Sequence, residues 1–244
     1  MGIIIEMQNV SFIAEKQHIV QSLSYQFEEG KATALVGPSG GGKTTILKLA
    51  AGLLVPAQGA VYFQHEDISL MNRSQRLKFR RQATFVFQDS ALWANQSLYQ
   101  NMEMPLRIHF PQMPKPERDR RINEALAEVA YQKDLMMRPS KLSMGEQKLI
   151  AFARAMLCRP VLLFLDEWTE SLDDHAAQRL INIVKAHKDK GNTLIFVSHD
   201  LRLVKYLADY VLMVTSGAIT MKLTGAQLAS DTDLAQYIEK GIYS

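Results

Sequence analysis

The stretch "GPSGGGKTT", Gly37–Thr45, decides how the rest of the chain is read. It fits G-x-x-x-x-G-K-[ST], with the β-rich "KATALVG" running into it and the helix-patterned "KTTILKLAAGLL" running out. Strand, loop and helix in that order make a glycine-rich loop a phosphate cradle. Gly37, Gly40, Gly41 and Gly42, with Pro38 and Ser39 among them, let backbone N–H groups approach an oligophosphate without Cβ clashes. Lys43 is placed to reach the β- and γ-phosphates. Thr44 offers a hydroxyl to Mg²⁺, and Thr45 completes the motif as the helix begins.

Such a loop needs an acid at the end of a neighbouring strand, and "VLLFLDE", Val161–Glu167, supplies it. Asp166 would hold the metal through water. Glu167, one residue on, could polarise the attacking water as general base. Adjacent carboxylates beside a phosphate site repel each other unless a cation sits between them.

The surroundings read as an α/β protein. "IIIEMQNVSFI" and "IVQSLSYQF" alternate as strands, ahead of a polar, helix-patterned region over about 67–142. The prolines of "HFPQMPKPE" interrupt that region, and "ERDRRINEALAEVA" after them sets Ile122, Leu126 and Val129 on one helical face. Beyond it, "VLLFLDE", "NTLIFVSHD" and "YVLMVTS" alternate with helical stretches, and "AITMKL" follows as a strand. Fully apolar strands between helices imply a parallel sheet covered on both faces. The tail "SDTDLAQYIEKGIYS" predicts a short terminal helix.

Composition narrows the classes. The 244 residues are 47% hydrophobic and 22% charged, with a net charge of +3, too small to argue for a nucleic-acid partner. No apolar run reaches the roughly 20 residues that span a bilayer. "MGIIIEMQNV" lacks the basic start and long apolar core of a signal peptide. A single cysteine, Cys158, on an apolar helical stretch, excludes an internal disulfide framework and reads as a small core residue in a reducing compartment.

"KLSMGEQKL", Lys141–Leu149, reads as a capped helix start, with Ser143 as N-cap and Glu146 closing a capping box. Unpaired N–H groups at such a start attract an anion. The stretch alone does not say which anion, or why a bulky Met144 stands inside it.

With these pieces, the chain resembles the nucleotide-binding subunit of the ATP-binding cassette family over nearly its whole length. "FVFQDSALW" is similar to the family's Q-loop, with Gln88 at a strand end; "LSMGEQ" to its signature motif; "ESLD", ending at Asp173, to its D-loop; and "VSHD" to its switch segment, with His199. The resemblance implies one domain over 1–244, a P-loop NTPase with a mostly parallel core sheet, an N-terminal antiparallel β subdomain and a helical subdomain at about 89–158. It implies ATP and Mg²⁺, and a head-to-tail pair of copies in which Ser143, Gly145 and Glu146 close on the γ-phosphate held by the partner. His199 would then orient the water with Glu167, Gln88 would sense metal and water, and Asp173 would belong to the pair's nucleotide pocket.

The chain departs from the pattern at four places. Met144 replaces a glycine, which is benign if the backbone there is ordinary and costs about 1–2 kcal/mol if φ is positive. Trp168 stands where a proline usually follows the catalytic acid, and Glu170 and Ser171 replace small D-loop residues. Where the family often stacks an aromatic on adenine there is Ala14; Phe12, on the same strand face, reads first as core, so base discrimination is expected to be weak.

No segment crosses a membrane, so a transport role needs separate permease subunits, which places the chain at the cytoplasmic face of the inner membrane. "ALWANQSLYQNMEMPLRI" offers Leu92, Trp93, Leu98, Tyr99, Met102 and Met104, divided in this reading between core and a groove for a permease helix. "MNRS", the basic helix after it and "FQDSALW" resemble the ATPases of Mla-type systems, implying an MlaE-type permease, an MCE-domain protein and a phospholipid cargo. A lipoprotein-releasing, drug-exporting or solute-uptake cassette shares every catalytic residue, and an FtsE-like cassette would signal without cargo.

Overall fold

The computed structural model describes residues 2–231 together with 233, 235, 236 and 238. The expected terminal helix lies largely outside the described residues. Strands β1 (Ile3–Ala14) and β2 (Gln17–Glu28) pair antiparallel through a turn at Glu15 and Lys16. Both turn residues have positive φ, as a two-residue hairpin of matching twist requires.

The second sheet runs through β3 (Ala32–Val36), between the hairpin and the cradle. Its order is β10-β9-β3-β8-β7-β6, from β6 (Ala83–Val86), β7 (Leu162–Asp166), β8 (Thr193–Val197), β9 (Tyr210–Thr215) and β10 (Ala218–Thr224). Every pairing among them is parallel except β9 with β10. Every residue of β3, β7 and β8 is buried. Alternate side chains of these strands enter opposite cores: Leu163, Leu165, Leu194 and Phe196 on one face, Leu162, Phe164, Ile195 and Val197 on the other.

The second of these cores holds α1 (Lys43–Ala50) under the antiparallel sheet, whose order is β2-β1-β4-β5. The sequence reading had not singled out β4 (Gln58–Phe63) or β5 (Glu66–Asp67). β4 shows weak alternation on its own; it is a strand because Val61 and Phe63 find the buried face beside β1.

The first core holds the helical part: α3 (Leu98–His109), α4 (Lys115–Glu128) and α5 (Met144–Met156). The proline-rich break falls where expected, between α3 and α4. Pro105 lies inside α3 without ending it. The helix is anchored at its start by a capping box from Ser97 and Gln100 and by the buried Leu98, Met102 and Leu106. α2 (Arg73–Gln82) precedes β6, α6 (Asp174–Asp189), α7 (Leu201–Leu207) and α8 (Gly225–Ser230) follow, and the described residues 233, 235, 236 and 238 beyond them are helical.

Candidate nucleotide site

The expected site residues of the core collect at the carboxyl ends of β3, β7 and β8, where parallel sheets bind ligands. The 37–45 loop turns from β3 into α1 through backbone that only glycine tolerates. At Gly37, φ is 140° and a Cβ would lie 2.1 Å from the Val214 carbonyl oxygen. At Gly40 a Cβ would meet nothing within 4 Å, so the loop is closed on the sheet side and open on the other.

Lys43 is buried, and its Nζ donates to the carbonyls of Gly37 and Pro38, each at 2.8 Å. An ammonium has three donors, so one remains for a ligand. Burial pulls the Lys43 pKa down, and Glu167 and Asp166 push it back. Thr44 Oγ1 donates to Asp166 Oδ1 at 2.9 Å, and burial raises the pKa of Asp166.

Two protein oxygens facing each other suit a hard cation such as Mg²⁺, which takes one or two protein ligands and fills the rest with water and phosphate. Among the described residues no cluster of His, Cys, Asp or Glu could hold a metal by itself. The donor set therefore fits an ion that arrives with a phosphate.

Glu167 follows with φ 44°, its side chain 13% exposed. Burial, then the neighbouring Asp166 and Glu170, push its pKa up to about 7. His199 Nε2 lies 3.1 Å from Glu167 Oε1, yet Oε1 is buried with no aligned hydrogen-bond donor. Burial, then Lys43, lower the pKa of His199, which favours its neutral imidazole. Trp168 fills the core beneath β8, edge-on to Phe196 at 5.5 Å, so it is a packing residue.

Gln88 lies two residues beyond β6. Its Nε2 donates to Glu170 Oε2 at 2.9 Å, so its partner here is the D-loop acid that the sequence marked only as a departure. Among the described residues no hydrogen bond or ion pair joins Ser143, Gly145, Glu146 or Asp173 to the 37–45 loop. Ser143 and Glu146 form the capping box of α5, Glu146 also pairs with Lys133, and Asp173 caps α6 by accepting from the Ala176 N–H at 2.9 Å. Met144 is the first residue of α5, has no positive φ and is 68% exposed, so its backbone is ordinary. Gly145 is packed close: a Cβ there would lie 3.1 Å from the Ser171 carbonyl oxygen. Phe12 is partly buried against the second core.

Two residues at the site were not picked out from the sequence as functional: Lys148 and, as a partner of Gln88, Glu170. The one available signal was a lysine among the core positions Ile150, Ala151 and Phe152 of α5.

Residues 20–170 match the family described as "ABC transporter". The chain is 32% identical over 232 residues to the intermembrane phospholipid transport system ATP-binding protein MlaF of Haemophilus influenzae, covering 95% of this chain and 88% of that protein. It is also 32% identical over 238 residues to the nickel import ATP-binding protein NikE of Shigella flexneri, again over 95% and 88%. A dimeric post-hydrolysis structure of the ATP-binding cassette MJ0796, bound to ADP and Pi, superposes with a TM-score of 0.83 at 25% identity, covering 90% of this chain and 98% of that one. On its motifs, its architecture and these matches, the chain belongs to the ABC transporter family, as one of its ATPase subunits.

Proposed function

We propose that this chain is a single cassette over 1–244, with a helical insertion at about 89–158, that hydrolyses ATP as a head-to-tail pair to drive a phospholipid-moving permease of the MlaE type with an MCE-domain partner. The observation that carries the ATPase chemistry is the gathering, at the carboxyl ends of β3, β7 and β8, of the Lys43 cradle, the Thr44–Asp166 contact at 2.9 Å and the Glu167–His199 approach at 3.1 Å.

In this reading the N–H groups of 37–45 and Lys43 hold the oligophosphate. Thr44 and Asp166, with Gln88 once it leaves Glu170, would hold Mg²⁺, which would offset the phosphate charge. Glu167 removes a proton from the attacking water. Its raised pKa makes it a competent base near neutrality, and a neutral His199 aligns the water beside it. Ser143, Gly145 and Glu146 face the partner's γ-phosphate from the start of α5, where helix-end N–H groups favour an anion. Asp173 keeps the D-loop in shape beside the seam.

The permease docks at a cleft of about 390 Å³ whose lining includes Phe87, Trp93, Met104, Pro105 and Ile108. Trp93 is 50% and Ile108 52% exposed, whereas Leu98 and Met102 are core, so the apolar run divides between both roles. Phe87 lines both this cleft and the nucleotide crevice, and its neighbour Gln88 lines the crevice, which links docking to chemistry through one short segment. Among the described residues no helix is long and apolar enough to cross a membrane, in keeping with a subunit at the cytoplasmic face of the inner membrane.

The phospholipid reading rests on "MNRS", the basic α2 and "FQDSALW", and on the MlaF likeness. Equal identity to a nickel-import protein favours solute uptake as the second reading. Purification from membranes with bound subunits decides between them. A multi-span permease with a lipid-binding MCE protein and phospholipid supports the first; a permease with a solute-binding protein supports the second.

A further inference from the structure

Glu167 holds a left-handed backbone, φ 44°, which is strained for a non-glycine residue and persists only where its surroundings impose it. Three hydrogen bonds impose it. The Glu167 N–H donates to the Val197 carbonyl at 3.3 Å, and the Glu167 carbonyl accepts from the Glu170 N–H at 3.2 Å. The third donor is Lys148 Nζ, at 2.8 Å from the same carbonyl.

Lys148 is 4% exposed, on the second turn of α5, and this carbonyl is its hydrogen-bond partner. A buried ammonium is expensive to desolvate and persists where it is paired or hydrogen-bonded. Its surroundings answer that need: it shares a crevice with Gln88, Asp166 and Glu170, and Glu170 is the strongest of the charges acting in its favour. A methionine of similar reach would fill the same space without desolvating a charge. The arrangement therefore aims the ammonium at the one peptide that sets the direction of the Glu167 side chain. The packing of Gly145 against Ser171 braces the same loop from the same helix one turn earlier.

We infer that Lys148 is a positioning residue for Glu167, fixing the peptide after the general base so that its carboxylate points at the site of water attack. The inference rests on the proposed role of Glu167, and the test separates the two. Lys148→Met, Lys148→Arg and Glu167→Gln are compared in the full chain, by ATP affinity, by kcat and KM, and by amide hydrogen exchange over 167–170 without nucleotide.

Lys148→Met should keep ATP affinity and KM, lose about 100-fold in kcat, the scale of a catalytic group misplaced by an ångström, and exchange faster at 168–170 alone. Lys148→Arg, which restores donor and charge, should recover most of kcat and the protection. Unchanged kcat or unchanged exchange in Lys148→Met overturns the inference, as does a parallel loss of ATP affinity, which would mark a general packing defect. Continued turnover in Glu167→Gln overturns the role of Glu167 itself; an inactive Glu167→Gln beside a fully active Lys148→Met overturns only the positioning.

Discussion

Glu167 sits in an environment that opposes its ionised form, and this has a consequence for stability as well as for chemistry. Its folded pKa, about 7, lies above the ordinary glutamate value. The folded state therefore binds the proton more tightly than the unfolded state. The stabilisation this gives is fully present below pH ~4.5 and is lost as pH rises through about 7. Glu167→Gln removes that loss. Its melting temperature, compared with that of the unaltered chain, should gain from pH 5 to pH 8 by the equivalent of roughly 1–3 kcal/mol, while turnover disappears and an ATP-bound pair accumulates. Thermal melts at the two pH values and a sizing column with ATP check both halves. A constant difference in melting temperature would remove the burial effect, and steady hydrolysis would remove the base. At this scale the sequence singles out Glu167 as the candidate base from its place after Asp166. It did not reveal the left-handed backbone or Lys148, because both depend on residues that only folding brings together.

At the scale of the element, α5 carries the question raised by its first turn. The sequence reading of a Ser143 N-cap and a Glu146 partner is what the helix shows, because a capping box is a local contact over three residues. Met144 occupies ordinary helical backbone, and its side chain, 68% exposed, stands at the edge of the crevice that Thr44, Gln88 and Asp166 line; Met144→Gly should leave the hydrolysis rate unchanged if that edge is idle, and a large gain measured by phosphate release would mark the methionine as a brake. Ser143→Glu tests what the helix start is for. A glutamate there gives up the Ser143 capping bonds with Glu146 and repels a γ-phosphate presented by a partner copy, so the fold of the variant is checked by its melting temperature. ATP binding to the variant's own Lys43 loop should persist while turnover is lost. Full turnover in a preparation containing only Ser143→Glu chains would show that the signature helix does not complete the partner's pocket. β4 marks the limit of reading at this scale: its six residues have too weak a pattern to declare a strand until β1 lies beside them.

Across the whole molecule, the two faces of the parallel sheet divide the labour. One core anchors the cradle helix α1 beneath the antiparallel sheet, and the other ties the helical part to the strand ends that carry Asp166 and Glu167. The cleft with Trp93 and Ile108 and the crevice with Thr44 and Asp166 share the segment Phe87–Gln88, so in the proposed function permease and nucleotide would meet that segment from two sides. Trp93→Asp places a charge on that apolar cleft. It should release the chain from its permease on a detergent column and abolish transport while leaving ATP affinity intact; retention of the complex would place the docking face elsewhere.

The sequence by itself determined the phosphate loop, the acid-bearing strand, the parallel sheet and the capped helix start, because each is written in neighbouring residues: glycines that free the backbone, apolar runs that need cover on both sides, a serine three positions before a glutamate. Only the tertiary structure decided that Gln88 rests on Glu170, 82 residues away, and that Lys148 grips the carbonyl of Glu167, 19 residues on. Those contacts depend on how the helical part packs against the sheet, and a buried charge reveals its purpose only when the group that compensates it stands within hydrogen-bonding distance.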